Sequence, residues 1–167
     1  MHSAVQKWMD RDNAVRAWHS RYTGDEGLRV ASDPHRRLMC LRQNMLHEAT
    51  HALRRNGRTP RAALYVCTRS HDPDPTDQFD LLHAIASQRC MRAGAEFTDG
   101  NGPTAIERRT GLLEALEQVR RGFVDGLLCP TFEHISPHLD EYEHVLRTTA
   151  QRRWFVALGS PETTAGL

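Results

Sequence analysis

The chain has 167 residues, 39% of them hydrophobic, enough for one packed domain with a small appendage and too few for two full-sized domains. Its net charge of +1 conceals an asymmetry: residues 1–60 hold 11 Lys/Arg against 6 Asp/Glu, and residues 61–167 hold 11 against 15. No stretch approaches the ~20 apolar residues of a membrane span, so no membrane partner is expected.

The first residues, MHSAVQKWMDRD, carry charge where a secretory signal needs an apolar core, so export is not expected. Ser3 can cap a helix over 3–20, in which Val5, Trp8, Val15, Trp18 and Tyr22 recur at three-, four- and seven-residue intervals. TGDEG at 23–27 interrupts it. SDP at 32–34 opens a second helix that runs to about Asn56, where Asn-Gly ends it, and GRTP at 57–60 reads as a linker.

Beyond Pro60 the rhythm changes. Ala62–Val66 is a short apolar run, hence a strand, and DPDPT (72–76) a loop. Asp77–Ala93 has helical spacing through Leu81, Leu82, Ile85 and Ala86, and Ala95–Thr98 reads as a short strand before the loop DGNGPT. Thr110–Arg121 is a helix with Leu112, Leu113, Leu116 and Val119 on one face, closed by Gly122. Val124–Cys129 is a strand, Ser136–Gln151 a helix and Trp154–Leu158 a last strand. The four cysteines (Cys40, Cys67, Cys90, Cys129) stand singly, which indicates neither a zinc ribbon nor a disulfide framework and suits a reducing, cytoplasmic setting.

This alternation predicts an α/β class: a three-layer domain over 61–160 with a four-stranded, mainly parallel sheet. A helical extension, 1–60, precedes it, and a loose polar tail, 161–167, follows. In open parallel sheets chemistry gathers at the carboxyl ends of strands. Here those ends are Cys67–Ser70, Thr98–Gly100 and Pro130–His134. The first, LYVCTRSHD, sets potential nucleophiles beside an arginine, an imidazole and a carboxylate.

Taken in order, these strand ends resemble the catalytic domain of the serine recombinases, the resolvase and invertase family. The resemblance runs from about Arg61 to Glu162 and is most specific over 107–146. There Arg109-Thr110-Gly111-Leu112 starts a helix, Gly122 ends it, and Val124-Asp125 leads into a strand followed by Glu133-His134-Ile135-Ser136-Pro137. ALYVCTRS, with Tyr65, matches the family's Tyr-x-Arg-x-Ser strand, and FTDG (97–100) its Asp-containing loop.

The resemblance implies a serine hydroxyl that attacks a DNA phosphodiester and stores the bond energy in a phosphoseryl link, so no cofactor is expected. Such a nucleophile needs activation, and its anionic transition state needs surrounding arginines. Carried over position by position, the strand arginine falls on Cys67 and the nucleophile on Arg69. Asp99 and Arg109 are retained. The charged loop becomes Glu133, His134 and Pro137. Ser70, Asp99, Arg109 and Glu133 are therefore the candidate catalytic residues, with Ser70 one position beyond the aligned serine. One residue of slip turns a strand side chain to the opposite face.

On their own, these residues also admit plain structural readings. Cys67 and Cys129 fit as core residues, Asp99 as the shaper of a Gly-rich turn, and Arg109 as a helix anchor paired with Glu107 or Asp99. The expectation is a serine-recombinase-like protein of bacterial or mobile-element type that has lost strand exchange and associates with DNA, or with a recombinase as a homo- or hetero-oligomer. One alternative is an active site-specific recombinase using Ser70.

Another is a zinc metalloprotease, since MLHEATHAL (45–53) holds His47-Glu48-x-x-His51. On a helix, however, Leu38, Leu41, Met45, Ala49 and Ala52 share one face and both histidines fall opposite. No metal is expected there. The two N-terminal helices form a hairpin that buries little alone and is expected to pack on the sheet domain or a second chain. Its basic outer face offers Arg36, Arg37, Arg42, Arg54 and Arg55 to phosphates.

Overall fold

The runs RAALYVC, GLLC and FVAL are buried almost without alternation, as strands of a parallel sheet covered on both faces require. The computed structural model describes residues 33–69, 74–100 and 102–164. The helix expected over 3–20 and the candidate nucleophile Ser70 lie outside the described residues. In chain order the elements are α1 (Pro34–Arg55), β1 (Arg61–Cys67), α2 (Thr76–Gln88), β2 (Arg92–Asp99), α3 (Thr110–Arg120), β3 (Gly126–Cys129), α4 (Leu139–Gln151) and β4 (Phe155–Leu158).

All strand pairs are parallel, in the order β2-β1-β3-β4. The chain steps outward from β1 to β2, then returns across β1 to β3 and continues to β4. Right-handed crossovers therefore place α2 on one face and α3 and α4 on the other. The cores agree. Phe79, Leu82 and Ala86 of α2 pack on Leu64, Val66 and Ala157. Leu112, Ala115, Val119, Tyr142 and Leu146 of α3 and α4 pack on Tyr65, Leu127 and Val156.

α1 starts at Pro34 behind Asp33, whose carboxylate accepts from the His35 N–H at 3.0 Å. It ends at Asn56 and Gly57, the latter at φ +69°, a conformation suited to glycine. The helix packs along β4 and sends Leu38 and Met45 into one core and Ala49 into the other. Its expected apolar face is thus observed, except that Ala52 is exposed.

Three expectations are corrected. Arg42 was assigned to the basic outer face but is 4% exposed and pairs with Glu162, at 2.7 Å from Nε and 3.0 Å from an Nη. It follows Leu38 by four positions, about 40° around the helix, which is within the buried arc. The tail is not loose at Glu162–Thr164: this is a 3-10 turn with Glu162 buried, accepting also from the Tyr142 hydroxyl at 2.7 Å. Finally, α2 stops at Gln88 and β2 spans Arg92–Asp99, four residues longer than the stretch read as a strand. Cys90 turns the chain between them at φ +53°. β2 is a half-exposed edge strand and so carries no apolar run to betray it. Among the described residues no helix is long and apolar enough to cross a membrane.

Burial pushes the Glu162 carboxyl up, but hydrogen bonds from Arg42 and Tyr142 and the charge of Arg42 outweigh it and hold the group below its ordinary range. Glu162→Gln leaves a buried guanidinium without its counter-charge and should cost about 3–5 kcal/mol in urea unfolding at neutral pH. A depressed folded pKa contributes stability above the unfolded value and loses it as pH falls through the folded one. The wild-type and Glu162→Gln stabilities should therefore converge in acid.

Candidate functional site

The strand order reverses at β1 and β3, the position where parallel α/β sheets open a crevice at their carboxyl ends. The last residue of β2, Asp99, lies beside Cys67 of β1 in the sheet register. Its carboxylate accepts three hydrogen bonds: from the Gly111 N–H at 2.9 Å, the Leu112 N–H at 3.0 Å and the Tyr65 hydroxyl at 2.9 Å. Asp99 thus caps α3 from a different element, satisfying two of the amide groups that a helix start leaves unpaired and placing negative charge at the positive end of its dipole. Gly111 permits this approach, because a Cβ there would lie 2.5 Å from the Thr98 carbonyl oxygen. The Arg-x-Gly-Leu pattern therefore has a steric reason in this chain.

Arg109 precedes α3 and is 1% exposed. Its guanidinium donates to the carbonyl of His134 at 2.9 Å and to that of Ile135, tying the start of α3 to the loop after β3. It therefore anchors a helix start through main-chain carbonyls; the expected pairings with Glu107 or Asp99 are not the bonds it makes. Its Nε is buried without a hydrogen-bond partner.

That loop begins with a 3-10 turn, Phe132–His134. His134 Nδ1 accepts from the Cys67 N–H at 2.9 Å, which places the proton of a neutral ring on Nε2. The imidazole is thus engaged with the end of β1. Glu133 is exposed. Ser136, expected inside the helix, instead organises its entry: its hydroxyl donates to Glu141 at 2.7 Å and accepts from the His138 N–H at 3.1 Å, and α4 begins at Leu139.

Asp99 and Arg109 share the lining of a cavity of about 430 Å³ with Thr98, Gly100, Gly102 and Thr104, and Arg108 stands exposed at its edge. Glu133 is not part of this lining. Cys67 and Cys129 are not part of this lining either; both are buried in the core near Arg109. Burial pushes both above the usual thiol range, and the nearby Arg109 charge only partly offsets this. A raised thiol favours the protonated form, which is the poor nucleophile. Burial likewise raises the Tyr65 phenol, reinforced by Cys67 and Asp99, so it remains a hydrogen-bond donor. Sequence reasoning placed Asp99 and Arg109 at one site but missed the His134–Cys67 link and the Ser136–Glu141 pair.

His47 and His51 lie on the exposed face of α1 with ring centroids 5.9 Å apart. Among the described residues no group of three His, Cys, Asp or Glu is placed to hold a metal ion. The metalloprotease reading thus lacks a third ligand there.

The fold is shared with recombinase catalytic domains. The N-terminal catalytic domain of TP901-1 integrase superposes with a TM-score of 0.52 at 13% identity, over 59% of this chain and 76% of that one. The C-terminal catalytic domain of ISC1926 TnpA, an IS607-like serine recombinase, gives 0.50 at 19% identity, over 63% and 75%. No family model and no curated protein matches the chain.

Asp99→Ala leaves two amides and a phenol without their acceptor and should lower stability by about 2–3 kcal/mol, measured by thermal or urea unfolding. Gly111→Ala should cost about 1–3 kcal/mol, because the added methyl meets backbone that cannot swing away.

Proposed function

We propose that this is a serine-recombinase-like domain that does not carry out strand exchange and serves instead as a DNA-associating unit or a partner of an active recombinase. The observation that carries this reading is the state of Arg109. Of the four arginine positions that the family resemblance assigns to the phosphate, it alone still holds an arginine, and its guanidinium is buried on the carbonyls of His134 and Ile135. The other three positions hold Cys67, His134 and Pro137.

A phosphoryl transfer through a seryl intermediate builds negative charge that preorganised donors must meet, and removal of one such donor typically costs about 10²–10³ in rate. Asp99, the retained carboxylate, is occupied by three donors that hold the fold together. The remaining candidates, Ser70 and Glu133, would have to act without this electrostatic support.

Purified full-length protein incubated with supercoiled DNA should form no covalent protein–DNA adduct and no nicked product, and Ser70→Ala should leave the result unchanged. An adduct that forms and then disappears with Ser70→Ala would overturn the proposal and identify an active recombinase.

A further inference from the structure

In an all-parallel sheet with a helix before each strand, every helix end and strand start meet at one pole. Charge is sorted between the poles. The amino pole comprises the last turn of each helix, the connection that follows it and the first residue of the next strand. Among the described residues this pole holds ten arginines against two carboxylates.

Arg54 and Arg55 end α1, Arg58 sits in the connection and Arg61 opens β1. Arg89 and Arg92 flank the turn into β2. Arg120 and Arg121 end α3, and Arg152 and Arg153 follow α4. Eight of the ten are exposed and Arg61 is partly covered; Arg89 is partly buried and turns its guanidinium to the Leu158 carbonyl at the other end of β4, 2.8 Å away, so it adds nothing to this surface.

The two carboxylates do not neutralise this surface. Asp125 is shared by Arg58 at 3.1 Å and Arg61 at 3.4 Å, and Glu117 by Arg120 at 2.5 Å and Arg121 at 2.7 Å. The opposite pole runs from the last residue of each strand through the first turn of the next helix, with residues 33–37 and 159–164. There carboxylates outnumber arginines nine to five among the described residues. The cavity holding Asp99 and Arg109 opens at that less favourable end.

We propose that the amino pole, opposite the candidate site, is the surface on which this domain engages the phosphate backbone of duplex DNA. The inference rests on the DNA-associating reading above and adds where contact is made. Complementing helix dipoles accounts for a cation at each helix end but not for Arg58 in a connection or for Arg61 and Arg92, which open strands. The four strand starts span about 14 Å. Over that length a duplex carries roughly eight phosphate charges, comparable to the excess of seven arginines over carboxylates that remains without Arg89. Arginine suits the contact, since its planar fork meets phosphate oxygens in pairs.

The test is a titration of full-length protein with a fluorescent 20-base-pair duplex at a series of salt concentrations. It compares wild type with the triple variant Arg54→Gln/Arg55→Gln/Arg92→Gln, each melted separately to confirm folding. Binding by wild type that weakens in the variant, with a plot of log affinity against log salt shallower by about 2.7, supports the proposal. Unchanged binding by the triple variant, or a slope flattened instead by Arg36→Gln/Arg108→Gln at the other pole, overturns the location and leaves the DNA-associating reading standing. No duplex binding by wild type at low salt overturns both. Tighter binding to poly-glutamate than to duplex of equal charge overturns the proposal in favour of an acidic protein partner.

Discussion

The Asp99 carboxylate is the point at which three elements are joined. It ends the edge strand β2, receives the first amides of α3 and holds the Tyr65 hydroxyl of the central strand β1. A charged acceptor beneath a helix start is favoured by the dipole and by the unpaired amides together. Its effect is also geometric, because it fixes how closely α3 approaches the sheet, and Gly111 is the residue that lets the backbone come that near. Arg109, Leu112 and the loop after β3 take their positions from this junction.

Around the same junction the charged and polar side chains are engaged in internal bonds. Arg109 donates to the main-chain carbonyls of His134 and Ile135. His134 accepts from the end of β1 through a ring nitrogen. Burial raises the Cys67 and Cys129 thiols nearby, which favours their neutral form.

Much of the fold was legible in the sequence because strands covered on both faces must be continuously apolar. β1, β3 and β4 showed themselves in this way. β2 showed only its second half, Ala95–Thr98, since an edge strand alternates partial exposure with charge and the opening of its RAGAEFTD resembles the end of the preceding helix. Asp99 was legible as a residue of a turn before glycine, but its role as a cap depends on a helix eleven residues further on. The Arg42–Glu162 pair joins residues 120 positions apart and leaves no local signal. What the helical wheel did contain was the position of Arg42 beside Leu38, overlooked because arginine is expected in water.

α1 and β2 bound the sheet in different ways. One margin is sealed, because α1 runs along β4 and contributes to the cores on both faces. The other margin, among the described residues, has no strand beyond β2. Any lengthening of the sheet by an incoming strand is therefore confined to the β2 flank. There the exposed Arg92 and Glu96 make indiscriminate pairing unfavourable and would select a segment of matching charge.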